Sequence, residues 1–142
     1  MAITSAICSS FKQEVLVGTH NFTATSGNSF KLALYTSSAT LGAATTAFTT
    51  TGQASGTNYT SGGSALTNVT PVLSGTTAVC DFADLTFGTA TVTARGCMIY
   101  NDTNSDTAGA IIDFGGDKTS TASNLTVVFP SPTATGAIIR LA

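Results

Sequence analysis

Apolar and polar residues alternate along most of this chain with a period of two. For example, Phe30, Leu32 and Leu34 alternate with Lys31, Ala33 and Tyr35. A period of two places neighbouring side chains on opposite faces of a strand, so such runs predict half-buried β-strands. Short β runs separated by turn residues cover 79–82, 90–94 and 97–100, and further alternating runs cover 110–114, 125–129 and 137–141.

The beginning of the chain carries the one helical pattern. Phe11, Val15 and Leu16 fall on one helical face, and the pattern stops at Gly18. Ser10 and Gln13 have the spacing of a capping box. A helix of two turns is stable only when it docks on other elements. We therefore expect residues 1–20 to form an N-terminal arm or a short helix, followed by strands in 30–142.

Turn residues separate the predicted strands. Gly- and Ser-rich clusters at 52–56 and 61–64 indicate loops, and the polar segment 101–106 suits a hairpin loop. Seven to nine short strands, spaced roughly 8–12 residues apart, favour a β-sandwich or a jelly-roll-like barrel. No linker divides the 142 residues, so we expect one all-β domain over 1–142.

Composition strengthens this prediction and excludes several classes. Thr, Ser and Gly number 28, 15 and 14, and only 8% of residues are charged. Thr favours strands, and Gly and Ser favour turns. Five basic residues are too few for a positive stripe that binds nucleic acid. The chain has no apolar run long enough to span a membrane as a helix. Residues 1–8 lack the basic start and unbroken apolar run of a secretory signal, so we expect none.

The three cysteines are Cys8, Cys80 and Cys97, and no two of them form a CxxC pair. An odd number of cysteines without a signal peptide predicts free thiols in a protein that folds in a reducing cytoplasm.

Candidate catalytic groups are few. His20 is the only histidine, and a single loop histidine in such a chain is far more often structural than catalytic. Two carboxylate pairs, Asp81 with Asp84 and Asp113 with Asp117, lie at strand ends, where Asp commonly accepts hydrogen bonds from turn amides. We therefore predict no catalytic residue and no cofactor, and that the protein is not an enzyme.

The loop from Asp102 to Asp106 has oxygen ligands at alternate positions, as the first half of a calcium loop does. Thr107 stands where an EF-hand requires Gly, so turn chemistry is the better interpretation and we predict no metal site. Asn-x-Thr sequons are equally uninformative, because a chain that never enters the secretory pathway is not glycosylated. They begin at Asn21, Asn58, Asn68, Asn101 and Asn124.

Charge is absent from residues 32–80, a stretch of 49 residues. Interface cores are depleted in charge, and Thr loses its hydration at lower cost than Lys or Glu. We therefore expect much of this stretch, including Thr50 and Thr57, to pack against other subunits. Composition indicates a building block rather than a catalyst.

Several segments resemble small structural proteins of tailed bacteriophages. The resemblance covers nearly the whole chain but consists of packing and turn motifs, without a chemical signature. Its segments are SFKQEVL (10–16), FKLALYT (30–36), NYTSGG (58–63), ARGCMIY (94–100), DFGGDK (113–118) and GAIIRL (136–141).

The resemblance implies a virion protein, assembled in the bacterial cytoplasm and placed on the head exterior. Its implied role is that of a capsid cement or decoration protein, a homotrimer bound to the major capsid protein without nucleic acid or membrane. Two alternatives stay open. One is a tail, collar or fibre-associated protein, and the other is a carbohydrate-binding module in which Tyr35, Tyr59 and Tyr100 replace the missing tryptophan.

Overall fold

The alternating runs fold into two antiparallel sheets and one short helix, in a computed structural model that describes residues 2–142. The all-β, single-domain prediction is confirmed. In chain order the elements are β1 (Ala6–Ile7), α1 (Ser9–Leu16), β2 (Phe30–Tyr35), β3 (Gly56–Thr57), β4 (Ser64–Ala65), β5 (Asn68–Ser74), β6 (Thr77–Phe82), β7 (Leu85–Asn101), β8 (Thr107–Val127) and β9 (Ile139–Leu141).

The larger sheet has the strand order β1-β8-β7-β2-β4, and β3 pairs with the outer part of β7. The smaller sheet has the order β5-β6-β9. Side chains from both sheets belong to one buried core. Phe82 of β6 lies 5.9 Å from Phe30 of β2 and 6.1 Å from Phe22, measured between ring centroids. Aromatic packing therefore joins the two sheets.

The strands β7 and β8 form one long hairpin, where the sequence predicts separate short strands. Runs 90–94 and 97–100 both lie in β7, and runs 110–114 and 125–129 both fall largely in β8. The prediction of short strands is wrong here because β-bulges replace turns. The register shifts between Ala94 and Gly96, for example, and a bulge bends a strand without ending it.

The strand β2 is buried on both faces, not half-buried as its alternation predicts. Leu32, Ala33, Leu34 and Tyr35 are all fully buried. The strand lies between β7 and β4, and the following loop covers its second face. The Tyr35 hydroxyl donates a hydrogen bond to the Thr49 carbonyl in that loop, at 2.6 Å.

The short helix exists, but it lacks the predicted capping box. Cys8 is the N-cap, no side chain caps the helix, and the hydroxyl of Ser10 is buried without a partner. Backbone carbonyls replace the cap, because the amides of Cys8 and Ser9 donate to Gly109 and Ala43. The helix ends at Leu16, and Gly18, the predicted stop signal, follows the C-cap residue Val17 with a φ of +80°.

The last strand differs from its prediction at one position. Ala137 and Ile139 are buried as expected, but Leu141 is 60% exposed. β9 has only three residues and pairs with β6 on one side alone, so nothing covers its final side chain.

Candidate functional site

The histidine lies in a buried polar cluster at the junction of α1, β2 and β7. The His20 side chain is fully buried, and its Nε2 lies 2.7 Å from Glu14 Oε2. On the other side of the ring, Asn101 Nδ2 lies 3.0 Å from His20 Nδ1. Phe11, at 4.6 Å, packs against the ring. Each ring nitrogen of His20 thus already has a protein partner.

One member of each candidate carboxylate pair accepts hydrogen bonds that stabilise the fold. Asp84 accepts a hydrogen bond from the Phe129 amide at 2.8 Å, which fastens the end of β8 to the start of β7. Asp113 accepts hydrogen bonds from the Gly115 amide at 3.0 Å and from Arg95 Nε at 2.9 Å. These two donors, the amide first, hold the pKa of Asp113 below its ordinary value.

The loop from Asp102 to Asp106 forms the predicted hairpin turn between β7 and β8. Asp102 pairs with Lys31 at 3.1 Å. Ser105 and Asp106 have positive φ angles of 57° and 54°, which tight turns require and which Asp tolerates. Across residues 2–142, no three His, Cys, Asp or Glu side chains come together in a group that could hold a metal ion.

The cysteines are free thiols, as predicted. Burial raises the pKa of Cys97 to about 12 and that of Cys80 to about 11. Burial, with a smaller contribution from the Glu14 charge, raises the pKa of Cys8 to about 11. A thiol with so high a pKa is protonated at neutral pH and is a poor nucleophile.

The tyrosines of the carbohydrate-binding alternative do not form a stacking platform. Tyr35, Tyr59 and Tyr100 are all buried. The hydroxyl of Tyr59 accepts a hydrogen bond from the Leu34 amide, and that of Tyr100 donates to the Gly62 carbonyl. Sugar recognition needs an exposed aromatic face, so this alternative loses its support.

The outer face of the β7–β8 hairpin consists largely of threonine. We call this surface the threonine face. Its members are the exposed threonines of β3, β7 and β8, namely Thr57, Thr86, Thr89, Thr91, Thr93, Thr119, Thr121 and Thr126. Cross-strand pairing joins Thr57 with Thr91, Thr93 with Thr119, and Thr86 with Thr126.

Hydroxyls on the threonine face are partly satisfied by one another. The Oγ1 atoms of Thr93 and Thr119 are 2.9 Å apart, as are those of Thr86 and Thr126. Thr91 Oγ1 accepts a hydrogen bond from the Ala122 amide. Such internally bonded hydroxyls lose less on leaving water than free ones do, and their methyl groups add apolar area.

The smaller sheet carries most of the exposed apolar side chains. Val69, Val72 and Leu73 of β5 are 42%, 57% and 72% exposed, and Leu141 of β9 lies in the same sheet. Leu16, at the end of α1, is 86% exposed. Val69, Val72 and Leu73 belong to the uncharged stretch 32–80. That stretch contains the buried β2 and further buried residues such as Tyr59 and Val79, together with exposed positions such as Thr50 and Thr57.

Two apolar grooves flank the C-terminal strand. One, of about 650 Å³, is lined by Ile112, Phe114, Leu125 and Ile138 among others. The second, of about 440 Å³, lies between α1 and the smaller sheet. Neither groove brings a carboxylate pair and the histidine together.

The sequons fall in different environments. Asn21, Asn58 and Asn124 are exposed, Asn68 is half-buried, and Asn101 is fully buried. The role of Asn101 in the His20 cluster is one that the sequence did not reveal, because the two residues are 81 positions apart and no motif connects them.

Comparison with known proteins identifies no relative: no family model, curated protein or solved structure matches the chain. Among the described residues, no helix is both long and apolar enough to cross a membrane.

Proposed function

We propose that this chain is a structural protein of a tailed-bacteriophage virion that acts by packing against other subunits. The threonine face is the observation that carries the proposal. It is an exposed surface on the longest hairpin of the fold, in the part where neither strand carries a charged residue, 85–93 of β7 and 119–127 of β8. Surfaces of monomers normally carry interspersed charge, whereas interface cores are depleted in it.

The form we favour is a cement or decoration protein on the head exterior. Such a protein buries surface at junctions between capsomers and so stabilises the shell against internal pressure. The work requires shape complementarity and many weak contacts, with no chemical step. A trimer suits this place, because capsids present threefold and quasi-threefold positions. The resemblance of the segments in the sequence supports the phage assignment.

The proposed partners are the major capsid protein and further copies of the chain. The threonine face provides a surface that is inexpensive to desolvate, and β5 adds exposed apolar side chains such as Leu73. The two surfaces lie on different sheets. One can therefore contact the shell while the other contacts a neighbouring copy.

The decisive experiment locates and counts the protein on purified particles. We expect electron microscopy to place it on the head exterior and quantitative mass spectrometry to find hundreds of copies. About a dozen copies or fewer at the neck or tail would overturn the cement assignment and favour the tail, collar or fibre alternative. Absence from the particle would overturn the structural role altogether.

A further inference from the structure

A buried hydrogen-bond network joins α1 to the hairpin loop 102–106. Its centre is the pair His20 and Asn101, whose side chains are both fully buried. Asn101 lies at the end of β7, immediately before the loop, and Glu14 on α1 contacts the opposite side of the His20 ring. The directions of these hydrogen bonds determine which protonation state the site accepts.

The amide of Asn101 can point in only one direction. Its Oδ1 accepts hydrogen bonds from the backbone amides of Thr103 at 3.1 Å and Asn104 at 3.2 Å. Both donors are main-chain N–H groups, so the atom that receives them must be the oxygen. The Nδ2 of Asn101 therefore faces His20 Nδ1 at 3.0 Å, and also Asn28 Oδ1 at 3.0 Å.

Asn28 independently requires the same orientation of the Asn101 amide. Its Oδ1 accepts a hydrogen bond from the Asn21 amide at 2.8 Å, and this donor too is a main-chain group. If the Asn101 amide turned over, its oxygen would face the oxygen of Asn28 and would also leave the amides of Thr103 and Asn104. Two independent sets of backbone donors thus hold Nδ2 of Asn101 against the histidine.

The histidine is consequently held as one neutral tautomer. Its Nδ1 has to accept from Asn101, so the ring proton lies on Nε2 and is donated to Glu14. A second proton would lie on Nδ1 and point at the N–H group of Asn101, in a site where the ring is fully buried. Glu14 attracts such a charge, but it contacts the other ring nitrogen and does not remove this donor–donor conflict.

We propose that His20 is an acid-sensitive latch that holds loop 102–106 and α1 together at neutral pH and releases them on acidification. When the site opens, the ring leaves the hydrogen-bond donor of Asn101 and meets water, so that Nδ1 is free to take up a proton. A proton that only the open form accommodates shifts the equilibrium toward that form.

The other charged groups near the latch are engaged elsewhere or lie outside it. Glu14 is the charged side chain in hydrogen-bond contact with the ring, Asn101 contacts its other nitrogen, and the aromatic neighbours of the ring are Phe11, Phe22 and Phe30. In the adjoining loop Asp102 pairs with Lys31. Three carboxylates are therefore competing sensors: Glu14 at the ring, and Asp102 and Asp106 in the loop. Asp102 and Asp106 are present in wild type and in a His20 variant alike, so that comparison separates them from His20, and Glu14 needs a variant of its own.

Hydrogen exchange of the full-length protein tests the latch. The reporters are the amides of Thr103 and Asn104, whose acceptor is Asn101. Between pH 7.5 and pH 5 we expect their opening constant, after correction for the intrinsic exchange rate, to increase at least about tenfold. His20→Phe, which places another ring among Phe11 and its neighbours, should show no such increase.

Two further variants keep the proposal falsifiable. Asn101→Asp offers Nδ1 a carboxylate, so it should accept the histidine cation and remove or reverse the acid-induced opening. Glu14→Gln should retain the opening, because its side chain does not titrate. The proposal is overturned if wild type and His20→Phe respond equally to acid, if Glu14→Gln abolishes the response, or if His20 becomes protonated while both reporter amides stay protected.

Discussion

Asn101 and His20 are 81 positions apart in the chain, yet Asn101 Nδ2 lies 3.0 Å from His20 Nδ1 in a site closed to water. The contact ties the end of β7 to the segment that follows α1. The Asn101 amide has four hydrogen-bond partners in the protein. Its removal would leave these donors and acceptors without this partner, and that cost is its main contribution to stability.

Replacing Asn101 with Ala should lower the free energy of unfolding by about 2–4 kcal/mol, because His20, Asn28 and two loop amides each lose a partner. Urea unfolding measures this change. The matched control is Asn124→Ala, which removes one exposed hydrogen bond to the Thr89 amide and should cost at most about 1 kcal/mol. Equal losses in both variants would contradict the prediction.

The aromatic contact between the sheets predicts a larger effect. Phe82 is 2% exposed and packs against Phe22, Phe30 and Phe129. Phe82→Ala should therefore cost about 3–5 kcal/mol of unfolding free energy. Val128→Ala, at a side chain that is 70% exposed, should change the same quantity by no more than about 0.5 kcal/mol. If Phe82→Ala cost as little as Val128→Ala, the two sheets would not share a core.

Alanine substitutions at two glycines with positive φ, Gly63 and Gly75, distinguish the cost of steric overlap from the cost of backbone strain. A methyl group on Gly63 would collide with the Leu32 carbonyl of the neighbouring strand, whereas Gly75 has open space around it. Gly75→Ala should cost only the strain of its left-handed backbone, about 1–2 kcal/mol. Gly63→Ala should cost about 3 kcal/mol or more, measured by thermal unfolding. Similar melting temperatures would show that β4 moves away easily.

Lysine on the uncharged surface tests the proposed packing role. Thr57 lies on the threonine face and Thr50 in an exposed loop. Thr57→Lys and Thr50→Lys should change the stability of the free domain by no more than about 0.5 kcal/mol. At a packed interface each should reduce oligomerisation and occupancy on the particle, because the ammonium group loses water without gaining a partner.

The control for these substitutions is Thr25→Lys, at an exposed loop threonine outside both the threonine face and the uncharged stretch. It should leave assembly unchanged. If Thr57→Lys and Thr50→Lys also leave oligomeric state and occupancy unchanged, the two positions face solvent and the interface lies elsewhere.

The raised pKa values of the three thiols lead us to expect a lower free energy of unfolding at alkaline pH. Folding raises the pKa of Cys8 and Cys80 to about 11 and that of Cys97 to about 12, from an ordinary value of 9.0. The folded state thus binds the thiol protons more tightly than the unfolded state does. Their contribution is complete below pH 9 and decreases as the pH rises through 11 to 12.

We therefore expect the free energy of unfolding to fall progressively above pH 9, and a thiol reagent at pH 8 to label the buried Cys8 and Cys97 only after unfolding. A triple Cys→Ala variant is the control for the alkaline effect. Rapid labelling of Cys8 or Cys97 in the folded protein at pH 8 would contradict the prediction.

The class of fold follows from local patterns along the chain. The period of two, the threonine content and the turn clusters at 52–56 and 61–64 depend on local geometry, because side-chain alternation and turn conformation need no distant partner. For the same reason the strand β2, the hairpin loop after Asn101 and the helix stop signal at Gly18 were predictable. The deficit of charge was equally visible, since it requires only counting.

Features that depend on contacts between distant segments could be seen only in the folded chain. Bulges merged the short runs into β7 and β8, and carbonyls from Ala43 and Gly109 replaced the helix cap predicted at Ser10. The threonine face exists because β3, β7 and β8 align threonines from three parts of the chain. The bond between His20 and Asn101 has the same origin: a residue's hydrogen-bond partner is set by the fold that brings the two together, and no local pattern records it.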